Sequence, residues 1–165
     1  EQLECRFYKA WDAWGVLSNF APFPIRMPSP DGEETWPTVE HYYQAHKFAG
    51  VAGAEATMQA VKAAPTPELA AWTGRLAQRR SPHLVREDWE EVKYDVMWAA
   101  LQAKFSQHEG PCQLLAHTAT LEEPVELMED APHDYIWGVG ADGSGKNTLG
   151  VMLMKLRDEL MAKEQ

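Results

Sequence analysis

The sequence predicts a predominantly helical α+β fold, arranged as a single domain with a few short strands. The chain has 165 residues, of which 45% are hydrophobic, and this size suits one domain with a sizeable core. Apolar residues recur at helical spacing in several capped segments, whereas strand-like alternation is confined to short runs. Because no internal repeat or linker divides the chain, we expect one domain over residues 1–165.

The first third of the chain predicts three strands and a helix. Thr38 is a good N-cap and Gly50 a good stop, so they bound a helix. Proline, serine, aspartate and glycine between two strand-like runs indicate the turn of a hairpin. The expected elements are a strand at 5–9, a loop at 11–19, hairpin strands at 23–27 and 34–36 around the turn at 28–32, and a helix at 39–49.

The remaining elements are mostly helices. Thr66 before Pro67 indicates a helix start, and Asp88 with Glu91 resembles a capping box. The expected helices are 52–64, 67–76, 89–107, 112–117 and 148–162, with Gly110-Pro111 ending the region of the longest one; strands are expected at 125–128 and 135–139, and a glycine-rich loop at 138–147. On the longest helix we expect Val92, Val96, Ala100 and Leu101 to face the core.

Composition narrows the function classes. The net charge of −10 argues against strong non-specific nucleic-acid binding, which requires clustered Lys and Arg. The densest basic cluster runs from Arg75 to Arg86 and suits one or two phosphates better than a long duplex. Two cysteines are too few for a disulfide framework, and neither a signal peptide nor an 18-residue apolar run is present. These features predict a cytoplasmic protein without a membrane partner.

One face of the helix after Thr38 has an unusual composition. At about 100° per residue, its side chains follow one another in the order Tyr43, Lys47, Glu40, Gln44 and Phe48. Three polar groups therefore lie between two aromatic rings, as is common in the wall of a pocket and rare on a solvated face. A surface helix is the alternative, in which the carboxylate favours the helix dipole and the lysine is a solvated partner.

The glycine-rich loop matches two nucleotide-binding patterns, and we reject both. Residues 140–146 fit G-x-x-x-x-G-K, but Asn147 stands where a P-loop needs Ser or Thr. The G-x-G-x-x-G pattern at 138–143 is followed by only about 20 residues, too few for a βαβ unit. Two interpretations stay open: backbone N–H groups that approach a phosphate, or a plain strand-to-helix connection.

A zinc site is not expected. His41 and His46 are five residues apart, which rotates their side chains about 140° from each other on a helix. Metalloprotease helices place the two histidines four residues apart, on one face. We therefore expect both to be packing or surface residues and assign no metal.

Two further segments allow a functional and a structural interpretation. Asp134, just before Tyr135-Ile136-Trp137-Gly138, fits the lip of a site or an Asx-turn. The run from Arg86 to Trp89 could present a guanidinium and an indole at a cleft edge, or provide a cap and a core anchor.

Several motifs occur in a fixed order along the chain. They are G-x-x-S-N-F at 15–20, W-P-T-x-E-H-Y-x-Q-A-x-K-F at 36–48, R-x-x-W-x-x-V-K at 86–93, Met97, A-L-x-A-K-F at 100–105, D-x-x-W-G-x-G at 134–140, G-x-G-x-N-x-L-G at 143–150, Leu153-Met154 and Arg157. Taken together, these motifs resemble the NADAR family, also called YbiA-like, over about residues 7–160. The segment at 129–133 is longer than the family usually has there, and Val139 and Asp142 depart from its pattern.

The resemblance implies a hydrolase that cleaves N-glycosidic bonds to ribose, without a cofactor. The implied substrates are phosphorylated riboflavin-pathway intermediates or ADP-ribose attached to guanine, free or on nucleic acid. The competing hypothesis is a non-catalytic module that binds NAD or ADP-ribose.

From the resemblance and the helix face we predict a role for each site residue. Glu40 is the leading catalytic carboxylate, and Asp134 is a second acid/base or a ribose ligand. Lys47 steadies phosphate or acts as a Schiff-base nucleophile. The predicted substrate-binding residues are Trp89 and Trp137 for stacking, Asn19 and Gln44 for ribose, Arg86 and the Gly143–Gly145 loop for phosphate, together with Tyr43 and Asn147.

Overall fold

A computed structural model describes residues 3–120 and 123–165 and confirms the predicted class. Within these residues, helices predominate and the few strands are short. The chain forms two compact units, the helical unit at 22–107 and the terminal unit at 1–21 and 108–165. The extent of the domain, residues 1–165, stays a prediction.

The helical unit begins with a hairpin and continues with four helices. Strands β2 (Ile25–Ser29) and β3 (Gly32–Trp36) pair antiparallel around Pro30 and Asp31. The helices are α1 (Val39–His46), α2 (Glu55–Lys62), α3 (Pro67–Arg80) and α4 (Trp89–Gln107). Helix α1 packs against the other three, so its side chains are surrounded by helices.

The terminal unit pairs the first strand of the chain with the last one. Strand β1 (Glu4–Phe7) runs parallel to β4 (Glu126–Glu129). Helix α6 (Thr148–Lys163) packs on β4, and α5 (Glu109–His117) packs on α6. A parallel pair needs a long connection, and here most of the chain lies between the two strands.

Several predicted boundaries are moved by local hydrogen bonding. Helix α1 ends at His46, three residues early, because Phe48 and Ala49 donate to carbonyls three residues back and tighten the last turn. Helix α2 begins at Glu55 instead of residue 52, and α3 continues to Arg80 instead of stopping at residue 76. Helix α5 begins at Glu109 and includes Gly110-Pro111. Proline is tolerated there because N–H groups in the first turn of a helix have no acceptor within the helix, so its missing N–H costs no hydrogen bond.

The strand predicted at 135–139 is wrong. This segment is irregular, and its carbonyls accept hydrogen bonds from the N–H groups of residues 145–149 instead of from a neighbouring strand. The run of apolar residues suggested a strand, but the closely following glycine loop and the start of α6 supply the hydrogen-bond partners. The segment therefore tethers the start of α6.

The buried face of α4 differs from the predicted one. Ala100 and Leu101 are buried as expected, but Val92 and Val96 are only half-buried. Lys93 and Lys104 share the buried face. The Lys104 amine lies 5.6 Å from the Phe23 ring centroid, and burial lowers its pKa to about 7.

Among residues 3–120 and 123–165, no helix has the length and apolar character needed to cross a membrane.

Candidate active site

The predicted polar face of α1 lies inside the helical unit. Glu40 and Gln44 are 7% and 2% exposed, so this is not a solvated helix surface. Tyr43 and Phe48 border them and are also buried, so the surface-helix alternative is excluded. Lys47 is the C-cap residue of α1 and is 6% exposed. Buried polar groups require hydrogen-bond partners, and those partners define the site.

The Glu40 carboxylate is oriented by an amide one turn further along α1. Gln44 Nε2 donates to Glu40 Oε1 at 2.8 Å, and the contact is buried. The other end of the amide, Gln44 Oε1, is buried and accepts no hydrogen bond within the described residues. A buried acceptor without a donor is unfavourable, so Gln44 is ready to accept a hydrogen bond from a ligand.

Lys47 is held by a second helix. Its Nζ donates to Gln78 Oε1 of α3 at 3.0 Å, and its carbonyl accepts from the Arg86 backbone N–H at 2.8 Å. Burial lowers the pKa of Lys47 to about 8, and the positive charges of Arg75 and Lys93 act in the same direction. The carboxylates of Glu40 and Glu90 oppose this shift but do not cancel it. A useful fraction of Lys47 is therefore neutral near pH 8.

Trp89 occupies the position of a core anchor. The residue is 4% exposed, and its ring lies against Tyr43 with ring centroids 5.1 Å apart. Arg86 makes two hydrogen bonds to Asp88, from Nε at 2.6 Å and from Nη2 at 3.0 Å. Trp89 therefore has the core-anchor position that the sequence left open, beside the α1 face, and the Asp88 carboxylate binds Arg86.

The two histidines are packing residues, as predicted. His41 is buried, with Nδ1 2.8 Å from Thr38 Oγ1 and Nε2 2.9 Å from the Ala64 carbonyl. His46 Nδ1 lies 2.7 Å from the Tyr42 carbonyl. In the part of the chain that the structure describes, no group of three or more His, Cys, Asp or Glu is placed to hold a metal ion.

The remaining predicted site residues belong to the terminal unit. Asp134 Oδ1 accepts hydrogen bonds from the N–H groups of Ile136 and Trp137, which is the Asx-turn alternative. Trp137 is half-buried. Asn19 is also half-buried and follows the short 3₁₀ turn Gly15–Leu17.

The N–H groups of the glycine loop are already bonded inside the terminal unit. Gly143 N–H donates to the Gly140 carbonyl, and Ser144 N–H donates to Asp142 Oδ1. The N–H groups of residues 145–149 each donate to a carbonyl of the 135–139 segment. The backbone phosphate cradle that the sequence left open therefore has no free donor from 143 to 149 in this conformation.

Asn147 connects β4 to the start of α6. Its Oδ1 accepts from the Glu129 N–H at 2.9 Å, and its Nδ2 donates to the Leu127 carbonyl at 2.8 Å. Its backbone has φ 51, in the left-handed region that asparagine tolerates better than most residues. The amide thus satisfies two backbone groups that would otherwise be left without partners.

We expect Asn147→Ala to lower the free energy of unfolding by about 2–4 kcal/mol, because it removes two hydrogen bonds and strains the backbone. Asn147→Gly also loses the two hydrogen bonds but has no backbone strain. Its free energy of unfolding should therefore lie between those of Asn147→Ala and the wild type. Urea unfolding followed by circular dichroism measures both. Equal stabilities for alanine and wild type would show that the amide is not structural.

Two contributors to the site were missed by the sequence prediction, and both lie on α3. Gly74 packs against Gln44, and a Cβ added there would lie 2.5 Å from Gln44 Oε1. Gln78 binds Lys47, but the predicted helix stopped at residue 76 and left it outside. Extending α3 by one turn would have placed Gln78 four residues after Gly74, on the same face.

We expect Gly74→Ala to lower kcat about tenfold or more, because the new methyl displaces the Gln44 amide from Glu40. Ala77→Gly is the comparison for helix propensity on the same helix, and it should leave kcat near the wild-type value. Steady-state kinetics with folded variants measures both. If the alanine variant keeps full kcat, then Gln44 does not position the carboxylate.

A family model described as the NADAR domain matches residues 6–161, which is nearly the whole chain. The chain belongs to the NADAR family.

Relatives of this NADAR chain are similar over almost its full length. It is 44% identical to a protein named N-glycosidase YbiA from Escherichia coli, with 93% of this chain and 86% of that protein aligned. It is 40% identical to N-glycosidase Npun_R5314 from Nostoc punctiforme, over 93% of this chain and 90% of that one. Both of these relatives are named as N-glycosidases.

A maize relative and a solved structure extend the comparison. The maize protein is named riboflavin biosynthesis protein PYRR, chloroplastic, and is 49% identical over 94% of this chain. The chain spans only 25% of that protein's length. The NMR structure of Escherichia coli YbiA has a TM-score of 0.80 and 41% identity, covering 99% of this chain and 88% of that one. This likeness confirms the YbiA-like fold.

Proposed function

We propose that the NADAR chain hydrolyses the N-glycosidic bond between a base or amine and the ribose of a phosphorylated substrate. The observation that carries the proposal is the buried Glu40 carboxylate, held by Gln44 on the same helix face as Lys47. A buried carboxylate beside an amine of lowered pKa is a typical pair for acid/base and nucleophilic chemistry.

Glu40 acts on the charge that develops during bond cleavage. As the C–N bond to ribose breaks, positive charge builds at the anomeric carbon, and an oriented carboxylate stabilises it. The departing nitrogen takes up a proton, which an acid in the site supplies. Gln44 keeps the carboxylate oxygen in one orientation, so little reorganisation is needed during the reaction.

Lys47 supplies a covalent route. Its neutral amine forms a bond to the anomeric carbon as the bond to the leaving nitrogen breaks and that nitrogen is protonated. The ring oxygen then leaves this carbon and takes a proton, which gives an imine between lysine and the opened sugar. Water adds to the imine and releases both the sugar and the free amine.

The other predicted residues have supporting roles. Tyr43 and Trp89 form the aromatic border beside Lys47, and Arg86 and Asn19 stay predicted substrate ligands. Asp134 as second acid/base, Trp137 as a stacking residue and Asn147 as a ligand rest on the family resemblance. Gly143 has φ +79 and open space where a Cβ would be, which allows close approach of a ligand to the backbone.

The proposed substrates are riboflavin-pathway intermediates or ADP-ribosylated guanine. The maize relative's name favours the first class. The net charge of −10 also favours a free nucleotide-like substrate over a polymer, and a cytoplasmic location is proposed. No cofactor or membrane partner is assigned.

A product screen by mass spectrometry tests this function. The wild-type chain is incubated separately with phosphorylated riboflavin intermediates, NAD and guanine-ADP-ribosylated DNA, and the released base or amine is identified. We expect release from one class, and no release with Glu40→Gln. Binding of NAD or ADP-ribose without release of any base would favour the non-catalytic module.

A further inference from the structure

The strip of α3 next to the site presents a guanidinium. Gly74 contacts Gln44, and Gln78 binds Lys47, so this side of α3 faces the reactive groups. Arg75 comes directly after Gly74 and three residues before Gln78. At about 100° per residue it lies roughly 60° from Gln78 around the helix axis. Its side chain is exposed, so it borders the site on the solvent side.

Arg75 differs from the other cations near Lys47 because its donors are available. In the described residues it forms no ion pair and no side-chain hydrogen bond. Lys93 binds Glu90 at 2.5 Å, and Arg86 binds Asp88 through two nitrogens. The positive charge of Arg75 nevertheless reaches the site, since it contributes to the lowered pKa of Lys47.

The chemistry of an available arginine beside a ribosyl site favours one kind of ligand. A guanidinium offers several N–H donors in a planar fork that matches two phosphate oxygens. The glycine loop, predicted from the sequence to hold phosphate, has its N–H groups bonded internally from 143 to 149. A phosphate ester on the substrate ribose therefore has a better partner on α3 than in that loop.

We propose that Arg75 binds the phosphate of the substrate and thereby sets the preference for phosphorylated over unphosphorylated ribosyl compounds. This inference rests on the proposed function, because it assigns a residue to the phosphate of that substrate. Arg79 lies one turn further along α3 and is also exposed, so a second phosphate has a second guanidinium. The phosphate could belong to a free metabolite or to an adduct on nucleic acid.

Binding of ribose 5-phosphate and of ribose by calorimetry tests Arg75 without any turnover. We expect the wild type to prefer ribose 5-phosphate, and Arg75→Ala to weaken its binding about 10- to 100-fold. Arg75→Lys should recover part of the loss. Arg80→Ala is the matched control, because Arg80 is exposed and lies about 140° around α3 from Arg75. Equal binding of ribose 5-phosphate by wild type and Arg75→Ala, or no preference of the wild type over ribose, would overturn the inference.

Kinetics then separates this inference from the proposed function. With a phosphorylated substrate, Arg75→Ala should raise KM about 10-fold or more, whereas kcat should change only through the higher pKa of Lys47. After phosphatase treatment of the same substrate, variant and wild type should have the same KM. Loss of ribose 5-phosphate binding without hydrolysis of any tested substrate by the wild type would support Arg75 and contradict the proposed function. Hydrolysis with an unchanged KM in Arg75→Ala would contradict Arg75 alone.

KM of the wild type and of Arg75→Ala is measured with two substrates, a nucleic-acid-linked adduct and a free metabolite. Arg75→Ala should raise KM for whichever of them the wild type hydrolyses. If the polymer-linked adduct is the substrate, adding Arg79→Ala to Arg75→Ala should raise KM further, because more than one phosphate is contacted. This increase in KM should become larger as the salt concentration falls. An unchanged KM for both substrates would overturn the assignment.

Discussion

Replacing Glu40 with glutamine should reduce kcat by about 10³-fold or more and leave the fold intact. The substitution keeps the shape of the side chain and an oxygen that can accept from Gln44 Nε2, but it removes the negative charge opposite the developing cation. The measurement is base release under saturating substrate, with circular dichroism and the melting temperature as checks on folding.

The matched control for Glu40 is Glu91→Gln. Glu91 is an exposed glutamate on α4, so the same chemical change there should leave kcat near the wild-type value. The effect at Glu40 should appear in kcat more than in KM, because the charge it stabilises exists in the transition state. Turnover by Glu40→Gln within tenfold of the wild type would remove the carboxylate from the mechanism.

Lys47 should be trapped as a covalent adduct when substrate and borohydride are added together. Reduction of the imine leaves the sugar attached to Nζ, and peptide mass spectrometry then locates the modified residue. Lys47→Arg keeps the positive charge but cannot form the imine, so it should give no adduct and lose about 10²-fold or more in kcat/KM. Lys62→Arg is the control, since Lys62 binds Glu34 away from the α1 face.

The pH dependence of trapping follows from the lowered pKa of Lys47. With a pKa of about 8, only about a tenth of the amine is neutral at pH 7 and about half at pH 8. The rate of adduct formation should therefore rise about fivefold over that interval and level off above about pH 9. In Arg75→Ala the rise should move to higher pH, because Arg75 helps to lower this pKa. No adduct at any pH would rule out the Schiff-base route and leave direct attack by water.

The same lowered pKa has a consequence for stability. Between about pH 8 and the ordinary lysine value of 10.5, the unfolded chain holds a proton on Lys47 that the folded chain has lost. Stability from this group therefore rises with pH through that window and is lower on its acid side. The site thus keeps an amine that is unfavourable for folding at neutral pH, as expected for a functional group.

Much of the site was predictable because it lies on one short helix. Glu40, Gln44 and Tyr43 share a face of α1 by helical periodicity alone, and Thr38 caps it as expected. The sequence could not predict that Gln78 and Gly74 would contact this face, because contacts between helices depend on packing and not on spacing along the chain. The phosphate role of the glycine loop stays a prediction, but its internal hydrogen bonds were also not predictable. Its N–H donors meet carbonyls of the 135–139 segment, whose irregular conformation the run of apolar residues concealed.

The sequence by itself determined the fold class, most helix starts and the composition of the α1 face, because caps and periodicity act over a few residues. The tertiary structure alone decided which groups were available. It paired Lys47 with Gln78 and Asn147 with the backbone of β4, and it left the guanidinium of Arg75 without an ion pair in the described residues. A side chain can bind a ligand only if its donors and acceptors are not already bonded within the folded chain, and that depends on which groups meet in space. Burial, the cause of the lowered pKa of Lys47, also exists only in the folded chain.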